Sequence, residues 1–588
     1  MQEEFFMARP FTGNHRFREV ERKKPNGTIY VYEQESWYDQ ETKNTKYKHT
    51  LKGIRDPLTG EITSTRPKAQ QTEATVTTVK ADIVKNAKFE IIGKISEFSG
   101  VARELEAALP SNKGIAEKIL TLSWFEFSND GCTWPGVENW SRQYLNLLPY
   151  SYNAITEDIY QDLFRYIGMH PEIALSIFKS RALSLGDGEL LAWDSADYPC
   201  GSEGVSDGVV IVNKSGQPER CTKVLYLYSV TSRQLIAYKK LAGNISDVTT
   251  TPYAIEMVKM LGLNLPEVLQ DNGYYSEKNI GEMLHSKIHF IIRIKATNNL
   301  VKDCVRNCYE TLYAGTCDNI IYDAPEYSGV SKEITASFPY ERKYSSTKKE
   351  LKAGDTDWID AKLNVFIYFS SFQKGKDDQE FRMKYTEVRE DLLSGTYLDN
   401  ESKRFAEQYF ETTTKKDGSI VVTAKAQQIN EEFKYHGFLV LLADKEKNKN
   451  NALVKYRLRE KIEETIKGHK SHNGGDTSKT GNTDEFFDGE LLVEFLSNSM
   501  RESFWSRIRS MKAELAICNG DQQHDSAANL KLEKSLKNWL RKKSFVNILQ
   551  TFQTTELIKV SDENHTYKLK NPITARNKLF LEKMGITF

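Results

Sequence analysis

Residues 189–296 decide the fold: ELLAWDS (189–195), KVLYLYSV (223–230), LIAYKKLAG (235–243), TPYAIEMVKMLGL (251–263), PEVLQDNG (266–273), SEKNIGEMLHS (276–286) and HFIIRIKA (289–296). Short runs rich in Val, Ile, Leu and Tyr read as strands. The two segments with apolar residues at steps of three and four read as helices. The order is three strands in succession, then helix, strand, helix, strand. That predicts an α/β class: a mixed sheet with helices packed on it.

Outward from this stretch, the text of 298–436 reads as β and loop, with KLNVFIYFSS (362–371) and DGSIVVTAKA (417–426) alternating. A further strand follows in GFLVLLAD (437–444), then a long helix opening near Asn450. Ser471 to Thr483 (SHNGGDTSKTGNT) reads as a polar loop, and 501–588 as helices with Leu532, Leu536, Trp539 and Leu540 on one apolar face. Upstream, 28–65 reads as short strands broken by a turn at Asp56-Pro-Leu-Thr-Gly60, and about 80–185 as helical. These shifts mark six regions: 1–75, β and loop; 76–186, helical; 187–297, first part of the sheet domain; 298–436, a β-rich insertion; 437–500, its second part; and 501–588, a helical C-terminal region.

Composition narrows the class. The 588 residues are 39% hydrophobic and 28% charged, the profile of a globular chain rather than a disordered one. The apolar runs are short, as in Phe438–Ala443, far below the roughly 20 residues that span a bilayer. The opening MQEEFFMARPF has early glutamates and no apolar core, which reads as no secretory signal. Seven cysteines are too few for a disulfide scaffold. The expectation is a cytosolic, reduced, multi-domain protein. Formal charge is zero, yet residues 1–80 hold 14 Lys+Arg against 11 Asp+Glu, and 501–588 hold 16 against 9. Basic ends around an acidic centre suit a nucleic-acid binder with carboxylates gathered for a metal, as well as ordinary solvated charge.

Two aspartates close strands: Asp194 ends ELLAW, and Asp271 ends EVLQ. An Asp in that position is commonly a turn or cap residue. Two neighbouring strands can instead project both carboxylates from one sheet edge, the oxygen donors that hard divalent ions require. The helix NNALVKYRLREKIEETIKGHK (450–470) adds Tyr456, Arg459, Glu463 and Lys470. At about 100° per residue they fall within an arc of roughly 60°, with Leu458, Ile462 and Ile466 alongside as an anchor. Charged stripes are usually solvated faces. A carboxylate within a cationic stripe, after two strand-end aspartates, weighs against that bland reading.

With every gap intact, Tyr456-x2-Arg459-x3-Glu463-x6-Lys470 resembles the Tyr-Arg-Glu-Lys (YREK) signature of cut-and-paste bacterial insertion-sequence transposases, a group of the DDE superfamily. GNISD (243–247) and DNGYYSEKNI (271–280) agree with it. Asp194 departs in being followed by Ser-Ala, where Ser-Thr is common, and Ile466 stands where an aromatic is frequent. The resemblance implies an RNase H-like catalytic domain with Asp194, Asp271 and Glu463 as the catalytic, metal-binding triad for Mg²⁺ or Mn²⁺, two ions in all. It implies that Tyr456, Arg459 and Lys470 contact DNA, and that a β-rich insertion fills the long interval between Asp271 and Glu463. Implied partners are double-stranded DNA with terminal inverted repeats and target DNA, met by a homodimer and no membrane. The cell location implied is the cytoplasm, at the nucleoid.

The chemistry follows from the residue types. Phosphodiester cleavage needs an activated water or 3′-hydroxyl and a stabilised leaving oxygen, which a pair of Mg²⁺ ions supplies. Arg459 can grip phosphate bidentately, Lys470 can act as a point charge, and Tyr456 can donate a hydrogen bond. Weaker candidates are a zinc site at Cys304, Cys308 and Cys317, spare acids at Asp197, Asp247, Glu460 and Glu464, His469 and His472 beside Lys470, and Trp358, best read as a core or interface residue. The reading is a DNA transposase whose helical N-terminal region recognises the transposon ends. The rivals are a DDE endonuclease that does not integrate and a domesticated, non-catalytic DNA-binding protein.

Overall fold

The computed structural model describes residues 15–39, 41–64, 80–128, 133–186, 188–212, 216–264, 266–315, 317–345, 352–396, 398–415, 420–472, 483–517, 527–561 and 565–588. The opening segment read for a signal and most of the polar loop 471–483 lie outside them. The chain forms two units, Met1–Val79 and Lys80–Phe588.

The first unit is an antiparallel meander of β1 (Arg16–Lys23), β2 (Ile29–Asp39), β3 (Asn44–Arg55) and β4 (Ile62–Thr63), paired in that order. The Asp56 carboxylate builds the last turn by accepting the N–H groups of Leu58 (2.8 Å) and Thr59 (3.1 Å). Gly60 closes it at φ +77°, a conformation that favours glycine.

The second unit opens with β5 (Lys80–Asn86) and six helices: α1 (Ala87–Phe98), α2 (Val101–Ala108), α3 (Lys113–Ser128), α4 (Val137–Gln143), α5 (Glu157–Met169) and α6 (Pro171–Leu183). The sheet region follows as β6 (Leu190–Pro199), β7 (Val209–Val212), β8 (Pro218–Ser229), β9 (Gln234–Ala242), α7 (Asp247–Met260), β10 (Glu267–Gln270), α8 (Glu277–His285) and β11 (His289–Ile294). Every strand and helix read from 189–296 is present, and β7 is added. Then come α9 (Lys302–Ala314), β12 (Ile320–Ile321), β13 (Ala324–Glu341), β14 (Thr356–Phe369), α10 (Ser371–Ser394), α11 (Asn400–Tyr409), β15 (Phe410–Thr414), β16 (Ile420–Ala424), α12 (Ala426–Phe433) and β17 (Phe438–Ala443). The chain ends with α13 (Lys449–Leu458), α14 (Glu460–His472), α15 (Asp484–Ile517), α16 (Ala527–Lys542), α17 (Phe545–Phe552), β18 (Glu556–Ser561), β19 (Thr566–Lys570) and α18 (Ala575–Lys583).

A ten-stranded mixed sheet organises this unit, in the order β12-β13-β14-β17-β11-β10-β6-β8-β7, with β9 also on β8. β6, β10 and β11 pair in parallel, and the remaining pairs are antiparallel. The interval 298–436 differs from the β-rich insertion expected of it. β13 and β14 extend the same sheet, since β14 pairs with β17 and β17 with β11. The rest is mainly helical: α10, α11 and α12, with the β15–β16 hairpin, enclose a small separate core around Val388, Ala406, Tyr409 and Phe410. The 24-residue α10 is polar almost all round, and Phe381, Tyr385, Val388 and Leu392 form its sparse apolar stripe.

Two further differences concern the end of the chain. Among the described residues, the C-terminal region adds the β18–β19 hairpin to its helices, and β18 pairs with β5. The helix read as continuous over 450–470 is broken at Arg459. The Arg459 N–H bonds to the Tyr456 carbonyl (3.0 Å), and the Ile462 N–H to the Arg459 carbonyl (3.1 Å). These three-residue hydrogen bonds tighten the turn, so a projection at 100° per residue does not carry across it. α15, 34 residues long, then crosses α5 at very close range. A Cβ on Gly489 would lie 2.0 Å from the Phe164 carbonyl oxygen, and one on Gly168 equally close to that of Glu485. Among the described residues no helix is long and apolar enough to cross a membrane.

Candidate active site

Strand register places the first two acids. Leu269 of β10 stands opposite Ala192 of β6 in a parallel pair. Asp194 and Asp271 each lie two residues beyond that pair, so they stand level, and the period of two turns them to one face. The buried residues Leu190 to Trp193 hold β6 in the core up to Asp194. Asp271 follows the last residue of β10 and leads into a 3₁₀ turn, Asn272–Tyr274.

The third acid comes from α14, which packs on β6 and buries Ile462 and Ile466. Arg459, at the break before α14, turns its guanidinium in among the carboxylates. It lies 2.8 Å from Glu463 and 4.0 Å from Asp271. Tyr456, one turn earlier, is buried and donates its hydroxyl to Asp271 (3.1 Å). Arg293 of β11 also approaches Asp271, at 4.0 Å. Burial works against the Arg459 charge, but Tyr456, Asp271 and Glu463 outweigh it and hold the guanidinium protonated more firmly than usual. Burial likewise pushes the Tyr456 phenol above its ordinary range, and the Asp271 carboxylate adds to that.

Asp194 belongs to the same electrostatic group. Burial raises its carboxyl above the usual carboxylate range. Hydrogen bonds from Tyr274 and the Ser195 N–H oppose the rise, as does the Arg459 cation, while the Glu463 charge adds to it. Tyr274 is buried and donates its hydroxyl to Asp194 (2.8 Å). Beside it, the Ser195 hydroxyl donates to Asp247 (2.6 Å), and Lys223 bridges Asp247 and Asp197 at 3.0 Å each. Of the spare acids, Asp197 and Asp247 thus share one buried lysine, which offsets one of their two charges, and Glu464 pairs with Lys461 at 2.9 Å.

Arg459 thus contacts Asp271 and Glu463, and Asp194 lies within electrostatic reach of Arg459 and Glu463, although the three acids are far apart in the chain. Two guanidiniums against three carboxylates leave the group net acidic, and it offers only hard oxygen donors, the set that suits Mg²⁺ or Mn²⁺. Among the described residues no three His, Cys, Asp or Glu side chains are already grouped as ligands. Instead, Arg459 bridges Asp271 and Glu463. Lys470 lies on α14, and its side chain is outside the described residues, as are those of His469 and His472.

The match of residues 191–486, half of the chain, to the family described as "Transposase DDE domain" decides the assignment. The chain belongs to the DDE transposase domain family. The matched range runs from β6 into the start of α15 and includes all three acids. Among curated proteins none matches this DDE-family chain. A solved structure, the cryo-EM structure of piggyBac transposase synaptic complex with hairpin DNA, is 9% identical over 79% of this chain and 77% of that one. Its TM-score is 0.30, a likeness too low to bear on function.

Sequence reasoning passed over Tyr274, Arg293 and Lys223. Tyr274 carried a signal, since it follows Asp271 by three residues in DNGY; Arg293 and Lys223 are single cations within strands and carried none. Cys304 and Cys308 lie on α9, Cys308 buried, and the Cys317 side chain is outside the described residues. Trp358, read as a core or interface residue, is 58% exposed on β14, far along the hairpin with β13.

Proposed function

We propose that this DDE-family chain is a cut-and-paste DNA transposase of the bacterial insertion-sequence type with the YREK signature, and that Asp194, Asp271 and Glu463 are its catalytic carboxylates. One observation carries the reading: the level register of Asp194 and Asp271, with Arg459 linking Asp271 to Glu463. The strand order β9-β8-β6-β10-β11, three antiparallel strands followed by two parallel ones, supports an RNase H-like catalytic core.

The three acids would hold divalent cations, Mg²⁺ or Mn²⁺ and two in number, which when bound supply an activated oxygen nucleophile and stabilise the leaving 3′-oxygen. The chain's own residues shape the site for that task. Tyr274 orients Asp194, and Tyr456 orients Asp271. Arg459 offsets the mutual repulsion of the acids and would grip a phosphate oxygen, while Lys470 adds a point charge further along α14. The partners are transposon-end duplexes with inverted repeats, read in part by 76–186, and target DNA, engaged by a homodimer at the nucleoid. The six regions named from the sequence serve as its functional divisions, with 298–436 read as an extension of the sheet bearing a helical module.

The test is a strand-transfer assay with duplexes carrying the inverted repeats that flank the reading frame. Joined products that require Mg²⁺ or Mn²⁺ are expected. Nicking without joining would favour the non-integrating endonuclease, and binding without nicking would favour the domesticated protein.

A further inference from the structure

Charge on the first unit's sheet is sorted by face. Register places Arg16, Arg18 and Arg22 of β1 in the same rows as Ser36, Gln34 and Tyr30 of β2, and β3 continues those rows with Tyr47, His49 and Ile54. Side-chain contacts confirm the shared face. Arg18 donates to Gln34 (3.1 Å), the Arg22 guanidinium lies 5.4 Å above the Tyr32 ring, and Tyr32 meets His49 edge-on at 6.3 Å. No carboxylate of these three strands falls on that face. Glu19, Glu21, Glu33 and Glu35 occupy the opposite one, where Lys52 bridges Glu19 and Glu33, Arg55 holds Glu21 and His15 holds Glu35. The acidic face is thus ion-paired, and the arginine face is left cationic and aromatic.

We propose that this arginine face is a second DNA-binding surface, separate from the catalytic carboxylates and recognising the duplex through its phosphates. The choice of DNA over another polyanion rests on the reading of the chain as a transposase. Arg16, Arg18 and Arg22 are exposed and aligned along one strand. Six residues of strand span about 20 Å, along which one DNA strand presents roughly six phosphates. β1 to β3 is about 10 Å across, close to the width of a major groove of roughly 12 Å, in which β-sheet readers lie. Tyr47 and His49, both exposed, add hydrogen-bonding groups of the kind that contact phosphate.

The experiment measures binding of the full-length chain to a mixed-sequence duplex across a salt series. The triple variant Arg16→Ala/Arg18→Ala/Arg22→Ala is compared with Lys46→Ala/Lys48→Ala/Lys52→Ala, which removes the same charge from the other face. The arginine variant should bind about tenfold more weakly or worse, with the salt slope reduced by about 2–3, while the lysine variant changes affinity by less than about twofold. Arg18→Glu, a single exposed change, should weaken binding in the same direction. Equal losses in the two triple variants, or no loss in the arginine variant, would overturn the proposal and leave the transposase reading standing. An effect confined to RNA would overturn it as well. A wild-type chain that binds no duplex would instead sink the transposase reading.

Discussion

Arg181→Met removes the cation that ties the N-terminal helices to the sheet and to α15. Its guanidinium is 2% exposed and faces Glu104, 7% exposed, through bonds of 2.8–3.2 Å. It also donates to the Leu235 carbonyl (2.8 Å) and to Ser499 (2.6 Å), so one side chain of α6 joins α2, β9 and α15. Breaking a buried pair from one side leaves an uncompensated charge and costs about 3–5 kcal/mol. With an unfolding entropy near 2.1 cal/mol/K per residue, a unit of this size shifts by about 1 °C per kcal/mol. The variant should therefore melt about 3–5 °C below wild type in calorimetry at neutral pH. The double variant Glu104→Leu/Arg181→Met should recover much of the loss, because an apolar pair carries no desolvated charge. A single variant melting within about 1 °C of wild type would refute the reasoning.

Three other outcomes are expected. Gly489→Ala drives a Cβ into the Phe164 carbonyl and should cost about 1–3 kcal/mol or more in a denaturant titration, with α5 and α15 forced apart. Burial alone holds Lys88 down to about 8, below its unfolded value, so between about pH 8 and 10 the unfolded chain binds more protons and the Lys88 contribution to stability rises with pH. Lys88→Met should abolish that rise and stabilise the protein by about 2–3 kcal/mol at pH 7, read from urea midpoints at pH 7 and pH 10. Tyr456→Phe takes a hydrogen bond of about 1.5–3 kcal/mol from Asp271, so nicking should slow about 10- to 100-fold while the melting temperature falls by no more than about 3 °C.

Much of the sheet was legible because its strands carry local signals. ELLAW and VLYLY are nearly continuous apolar runs, as strands covered on both faces must be, and each ends at a polar residue. Asp271 was visible as a strand end, whereas Asp194, read as closing ELLAW, lies in mid-strand because β6 continues to Pro199 in its ladder with β8. The level pairing of the two acids is a matter of register, which no single strand encodes. α10 was misread because one small satellite core asks for few apolar side chains, and SFQKGKDDQEFRMKYTEV looks like loop when Phe381, Tyr385 and Val388 are taken singly. The break at Arg459 has no Pro or Gly to announce it; it coincides with the residue whose guanidinium turns toward the acids. Tyr274 was quoted within DNGY, yet its hydrogen bond to Asp194 depends on the 3₁₀ turn that brings it back across β6.

Glu463→Gln keeps the size and polarity of the side chain and removes one anionic ligand from the proposed triad, so it puts the site to the sharpest test. Mg²⁺-dependent nicking of a transposon-end duplex should be measured beside end binding on the same protein preparation, with Arg459→Ala and Lys470→Ala in parallel. Nicking by Glu463→Gln should fall by orders of magnitude while end binding survives or tightens slightly, since a negative charge near phosphate has gone. The two cation variants should weaken end binding and lower its salt slope by about one each. Normal Mg²⁺-dependent nicking by Glu463→Gln would show that Glu463 holds no metal, and the triad of Asp194, Asp271 and Glu463 would fall with it.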